Sequence, residues 1–209
     1  MPVRLTLRSN KDFSPFRELL TWLIEAPIGD SIILCSGYIW EPETGYRILD
    51  DQLLDTIKRG CSQGEVTTIG GKFEQEMWLE YYNNFVDRLV AAGLIVKPYI
   101  APRHNWHAKI AIRLEKNVPI AAIVGSSNLT GPACRKDWSR WNFEGDVLIW
   151  KNDPILDSHF RRPFNPSPKF GDMQLIFDPR AEQPNEQEQL NALHVDVLHG
   201  GLEKFVPKQ

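Results

Sequence analysis

The sequence predicts an α/β sandwich around one parallel or mixed sheet. Three observations carry this. Short apolar runs alternate with amphipathic stretches through the first hundred residues, which is the pattern of strand and helix in turn. Midway, two apolar runs follow one another across a polar turn with no helix between, so part of the sheet is antiparallel. The chain has 209 residues, 42% of them hydrophobic, enough for one well-buried core or a core plus a small appendage.

The elements follow in order. Residues 3–7, VRLTL, alternate as a strand does. Ser14-Pro15 is a helix start, a hydroxyl cap followed by proline at the first helical position. In the helix it opens, Phe16, Leu19, Leu20, Leu23 and Ile24 share one face. SIILCSGYI at 31–39 is a buried strand, 47–59 a helix, and EVTTIGG a strand ending in two glycines. Residues 74–93 form the clearest helix. Met77, Trp78, Tyr81, Tyr82, Phe85, Leu89 and Val90 make a wide apolar stripe, read as core packing, and Gly93 ends it. LIVKPYI is the next strand. KIAIRL and PIAAIV form a hairpin or near-hairpin about the polar EKN. LTGPACRKDWSRW is a loop or short helix, EGDVLIW a strand, DSHFRRPF a short helix and MQLIF a late edge strand. A final helix is expected over residues 184–205. Pro163, Pro166, Pro168 and Pro179 make 163–180 the expected linker, dividing a domain of residues 1–165 from a C-terminal extension of 166–209, packed on the domain or used in dimerisation.

Composition excludes several classes. No apolar run approaches the ~20 residues of a membrane span, and the N-terminus has no continuous apolar stretch of a secretory signal. Cys35, Cys61 and Cys134 are odd in number and widely spaced, so a reduced, cytoplasmic setting is expected. Net charge is -3, which announces no nucleic-acid binder. Its distribution is less even. Arg103, Lys109, Arg113, Lys116, Arg135, Lys136, Arg140, Lys151, Arg161 and Arg162 crowd the middle of the chain, and the tail is acidic. Such a face suits a phosphate-bearing substrate, and it equally suits charged loops that are merely solvated.

The chemistry-bearing residues cluster in 104–144. His107 and Lys109 stand two apart, and on a strand i and i+2 share a face. An imidazole and an ammonium on one spot define an anion site. Gly125-Ser126-Ser127-Asn128 ends the next strand with hydroxyls, an amide and backbone N–H groups suited to phosphate oxygens. Antiparallel pairing would bring it beside His107. Glu144 opens a following strand, where it could hold the imidazole in one tautomer.

HAK at 107–109, GSSN at 125–128 and NFE at 142–144 together resemble the HxK…GSxN signature of the phospholipase D superfamily, in its branch of single-motif nucleases and phospholipase D-type restriction endonucleases. The resemblance covers residues 104–150 in its motifs and the chain to about 165 in its element order. It implies a phospholipase D-like α/β/α sandwich with a mixed central β-sheet flanked by helices. It further implies a metal-independent phosphodiesterase without cofactor. His107 would attack phosphorus to form a phosphohistidine, and a second His would protonate the leaving oxygen. Lys109 and Asn128 would neutralise the phosphoryl oxygens with help from Ser126 and Ser127, and Glu144 would orient His107.

Two positions depart from the family pattern. The acid five residues after the Lys is Leu114, with Glu115 one step out of phase. The His-to-Gly gap is also longer than in compact members, which a longer turn at LEKNVP would explain. With one HxK where full-length family members have two, the resemblance implies a two-fold homodimer. DNA is the expected substrate, in restriction or phage defence. A separate specificity, helicase/ATPase or methyltransferase subunit is the expected further partner, and no membrane is expected. An RNA endonuclease, a lipid-directed phospholipase or phosphatidyltransferase, and a non-catalytic phosphate-binding subunit are the alternatives. Around the core motif, Arg135, Lys136 and Arg140 could grip flanking phosphates. Trp106 could wall the pocket or stack a base, or simply pack. His104 is a substrate contact or a solvated loop residue. His159, His194 and His199 lack partner spacing and read as structural or surface residues.

Overall fold

The computed structural model describes residues 1–8, 11–71, 76–101, 107, 109–135, 141–164, 174–177, 191, 194 and 203–204. The strands are β1 (Val3–Arg8), β2 (Ser31–Ser36), β3 (Glu65–Gly70), β4 (Ile95–Ile100), β5 (Lys109–Glu115), β6 (Val118–Gly125), β7 (Glu144–Trp150), β8 (Gln174–Phe177) and β9 (Glu203–Lys204). The helices are α1 (Pro15–Ile24), α2 (Asp51–Gly60), α3 (Glu76–Ala91), α4 (Gly131–Cys134) and α5 (Pro154–Phe160). All described strands join one mixed sheet in the order β8-β1-β7-β6-β5-β2-β3-β4-β9. β2, β3 and β4 run parallel, and each remaining neighbour pairing is antiparallel.

The division follows from the connections. Parallel strands need a crossover, and α2 and α3 supply it between β2 and β3 and between β3 and β4. β5 and β6 need none, because Lys116 and Asn117 turn the chain in two residues with φ of 50° and 67°. Two positive φ values mark the type I′ turn whose twist matches a hairpin. The longer turn expected at LEKNVP is therefore not what fills the His-to-Gly gap. All but two of residues 109–125 are in the strands, and a register shift sits between Arg113 and Leu114.

Both faces of the sheet are buried along its central strands β2, β3, β5 and β6. One meets helices α1 to α5 through Leu19, Leu23, Leu53, Phe85, Ala133, Leu156 and Phe160, with Ile32, Leu34, Ala111, Ile123 and Leu148 from the strands. The other carries Ile33, Cys35, Ile69, Ile110, Ile112, Leu114 and Ala122. Ser14 caps α1 as its position predicts, accepting from the Arg17 N–H. β8 is the expected edge strand beside β1. At the C-terminus the expected helix is only partly described: Asn191 and His194 are helical, whereas Glu203 and Lys204 pair with β4 as β9. Both sheet edges are thus closed by residues from the C-terminal part of the chain. No helix of the described residues is long and apolar enough to cross a membrane.

Several arginines of the suspected basic face serve the fold. Arg113 is 1% exposed and donates to the Gly29 and Gly60 carbonyls at 2.6 and 2.9 Å. Arg161 pairs with Asp157, and Arg162 with Glu25. Lys116 lies in the hairpin turn, about 23 Å along the strand from Lys109 at 3.3–3.4 Å per residue. Arg103, Lys136 and Arg140 lie outside the described residues.

Candidate active site

Register places the candidate residues at one end of the sheet. Lys109 begins β5 directly opposite Gly125, the last residue of β6, and Gly125 in turn faces Asp146 on β7. This is also the end at which the parallel strands β2 and β3 finish, at Ser36 and Gly70. Alternation fixes the faces. Lys109 has the parity of Ala111, which packs on the helical side, and Glu144 and Asp146 have the parity of Leu148 and Trp150 on that same side.

The GSSN turn is built around two acids. Asp146, 2% exposed, accepts from the Ser127 hydroxyl at 2.7 Å and from the Ser127 N–H at 3.3 Å. Burial pushes its carboxyl up to about 6, and the nearby Glu144 charge adds to this, while the two Ser127 bonds oppose it. Gly125 is glycine because of this acid. A Cβ there would lie 2.0 Å from Asp146 Oδ1 and 2.7 Å from the Gly145 carbonyl. Glu144 accepts from the Ser126 hydroxyl on one oxygen and from Asn142 Nδ2, at 2.9 Å, on the other. The Ser126 hydroxyl also receives the Gly145 N–H at 3.0 Å.

Asn128 is held from the opposite side. Its Oδ1 accepts from the Tyr38 N–H at 3.2 Å, with the Ser36 hydroxyl also 3.2 Å away. A backbone N–H can only donate, so the oxygen of the amide must face Tyr38. Nδ2 then points the other way, and among the described residues it has no hydrogen-bond partner. Ser36 further receives the Leu129 N–H at 3.1 Å and reaches the Tyr38 carbonyl at 2.6 Å. Behind the turn, Arg8 donates to the carbonyls of Pro132, Ala133 and Arg135 at 2.7, 2.8 and 2.9 Å, fixing α4.

Some expected roles change. Ser127 is fully buried with its hydroxyl and N–H committed to Asp146, so it shapes the turn and does not meet a ligand. Glu144 bonds Ser126 and Asn142 rather than an imidazole. His107 is exposed and lies before the strand, which starts at Lys109; its carbonyl accepts from the Lys109 ammonium. The shared-strand geometry expected for His107 and Lys109 therefore does not apply. Arg135 is exposed at the end of α4, with its guanidinium 5.3 Å from the Tyr46 ring. The two border a cleft of about 840 Å³ together with Arg47 and Arg88. His159 is structural, 2.8 Å from the Trp22 carbonyl. His104, Trp106, Lys136 and Arg140 lie outside the described residues. Sequence reading missed Asp146, Ser36 and Tyr38. Only Asp146 had a signal, its spacing of two from Glu144.

Comparison with known proteins gives distant likenesses. No protein-family model and no curated protein matches the chain. Among solved structures it is similar to NucT from Helicobacter pylori, at 16% identity and a TM-score of 0.43, covering 75% of this chain and 91% of that one. It is similar to a polyphosphate kinase from Porphyromonas gingivalis at 16% identity and a TM-score of 0.46, over 75% of this chain and 22% of that one. A phosphatidylserine synthase from Haemophilus influenzae gives 12% identity and a TM-score of 0.48, over 95% of this chain and 47% of that one. Likeness this distant leaves the chemistry to be argued from the residues.

Proposed function

We propose that the chain is a phospholipase D-type phosphodiesterase that cleaves DNA without metal, in restriction or phage defence. The observation that carries the reading is the Asn128 amide, its oxygen held by the Tyr38 N–H so that Nδ2 is turned away from it, at the sheet end where Lys109 stands opposite the GSSN turn. An ammonium and a pre-oriented amide are donors for phosphoryl oxygens whose charge develops in the transition state. Ser126, turned by Glu144, lies at the same rim.

The reaction runs in two displacements. A His107 ring nitrogen attacks phosphorus, the P–O bond to the leaving group breaks, and that oxygen takes a proton from a second imidazole. Water then gives that imidazole a proton while its oxygen attacks phosphorus, and the P–N bond breaks. The second imidazole is the His107 of another copy in a two-fold dimer. Sequence specificity, where there is any, comes from a separate subunit.

The test is to incubate the protein with plasmid, single-stranded RNA and phosphatidylcholine vesicles in EDTA, beside His107→Ala. DNA cleavage that persists in EDTA and disappears in the variant supports the reading. Activity lost to chelator and restored by magnesium refutes it, as does an active monomer by light scattering. Turnover of RNA or lipid in place of DNA reassigns the substrate.

A further inference from the structure

Beside Asn128 lies an aromatic cluster that the mechanism does not use. The stripe of α3 is not all core. Tyr82, Phe85, Val86 and Leu89 are buried, whereas Trp78 and Tyr81 are half-buried on the next flank of the helix. They meet Tyr38 and Trp40, also half-buried, from the segment after β2. Ring centroids are 4.6 Å apart for Tyr38 and Trp78, 5.8 Å for Trp40 and Trp78, and 5.6 Å for both Trp40–Tyr81 and Trp78–Tyr81. The cluster is also fastened to the site. The Tyr38 N–H holds the Asn128 amide, Ile39 bridges Leu129, and the Trp40 N–H donates to the Leu129 carbonyl at 2.7 Å. Backbone bonds therefore tie the segment that carries Tyr38 and Trp40 to the segment that carries Asn128.

We propose that an unpaired nucleobase flanking the phosphate bound at Lys109 and Asn128 stacks on Trp78, with Tyr38 and Tyr81, tilted 53° and 90° to that ring, walling it, so that the substrate is a single-stranded or locally melted stretch of nucleic acid. The proposal rests on the phosphodiesterase reading of the site. A nucleotide is a phosphate joined to a flat π face, and the site offers a phosphate donor joined to flat rings. A base inside a duplex has both faces occupied by its neighbours, so stacking here requires it to leave the duplex. A lipid chain would call for an aliphatic trough, whereas these rings carry polar edges. Base–aromatic stacking tolerates any sequence, and losing it raises Kd about five- to a hundredfold.

The experiment uses twelve-residue fluorescent oligodeoxynucleotides in EDTA, with one position at a time made abasic. Anisotropy gives the affinity for His107→Ala, in which the oligonucleotide stays intact, and for the same protein carrying Trp78→Ala, Trp78→Phe or Tyr38→Ala. At one position the abasic site should cost at least fivefold when all three rings are present. That cost should shrink towards none in Trp78→Ala and be largely kept in Trp78→Phe. A 2-aminopurine at the same position should be quenched on binding. Abasic costs under twofold at every position overturn the stacking, without depending on how any variant folds. A dimer that dissociates in Trp78→Ala, with the abasic cost unchanged, overturns it too and gives the rings to the subunit interface. Quenching and abasic cost in a protein whose cleavage is insensitive to His107→Ala would uphold the stacking while refuting the catalytic reading.

Discussion

Replacing Asp146 by asparagine should flatten the pH dependence of stability between pH 5 and 8. The carboxyl is 2% exposed and titrates near 6 in the fold, against an ordinary value of 3.8. The folded state therefore holds this proton more tightly than the unfolded state. Its contribution to stability is greatest below 3.8 and is lost as pH rises towards and past 6. The complete loss corresponds to about 3 kcal/mol, of which about 1.5 kcal/mol falls between pH 5 and 8. Asparagine keeps the shape, accepts from the Ser127 N–H through Oδ1, and can donate to the Ser127 hydroxyl through Nδ2. It has no proton to lose. Urea melts at pH 5, 6, 7 and 8 give both stabilities directly. The variant should gain on the wild-type chain by about 1.5 kcal/mol over that range, whatever its absolute stability at pH 5. Parallel curves would refute the raised carboxyl. A variant that loses ground as pH rises would mean that the fold favours the anion.

Gly125→Ala puts a methyl group 2.0 Å from the same carboxylate, so it should destabilise by about 1–3 kcal/mol in a urea melt and disturb the GSSN turn enough to lower cleavage at least tenfold. Ser36→Ala removes the acceptor of the Leu129 N–H, which should cost about 1–3 kcal/mol; by loosening the segment that holds Asn128 it should also lower kcat more than it raises KM. The double change Lys116→Asn, Asn117→Gly suits the two positive φ values and should raise stability by about 0.5–1 kcal/mol with cleavage unchanged. A melt no higher than wild type would refute the type I′ assignment.

The element order was legible because periodicity is local. Ser14-Pro15 announces α1, and the two-residue alternation of VRLTL and EGDVLIW announces β1 and β7. The faces were less legible. Arg113 is charged and stands in an apolar strand, which suggests a ligand. Its actual partners are the carbonyls of Gly29 and Gly60, 84 and 53 residues away in sequence. Nor does spacing reveal that Ser127 is sealed against Asp146 while Ser126 faces solvent. Adjacent turn residues take opposite directions, and only the register of β6 on β7 decides which is which. The α3 stripe hid its division for a related reason. A wide aromatic face looks the same whether its flank meets core or solvent. What distinguishes Trp78 from Tyr82 is the position of Tyr38 across the gap.

The missing acid at Leu114 has a structural answer in the same register. Five residues from Lys109 is an odd step, so position 114 faces away from Lys109 on any regular strand. Here Leu114 is 4% exposed and packs with Ile33, Ile112 and Ala122 on the face opposite the helices. A carboxylate at that position would be buried in an apolar cluster, at a cost that only a partner charge could offset. Leucine removes the need for one. The GSSN turn loses nothing, because the acids that shape it are Glu144 and Asp146, two strands away on the helical side. In this chain the carboxylates set the direction of Ser126 and Ser127. That division lets the turn keep its geometry with an apolar residue at position 114.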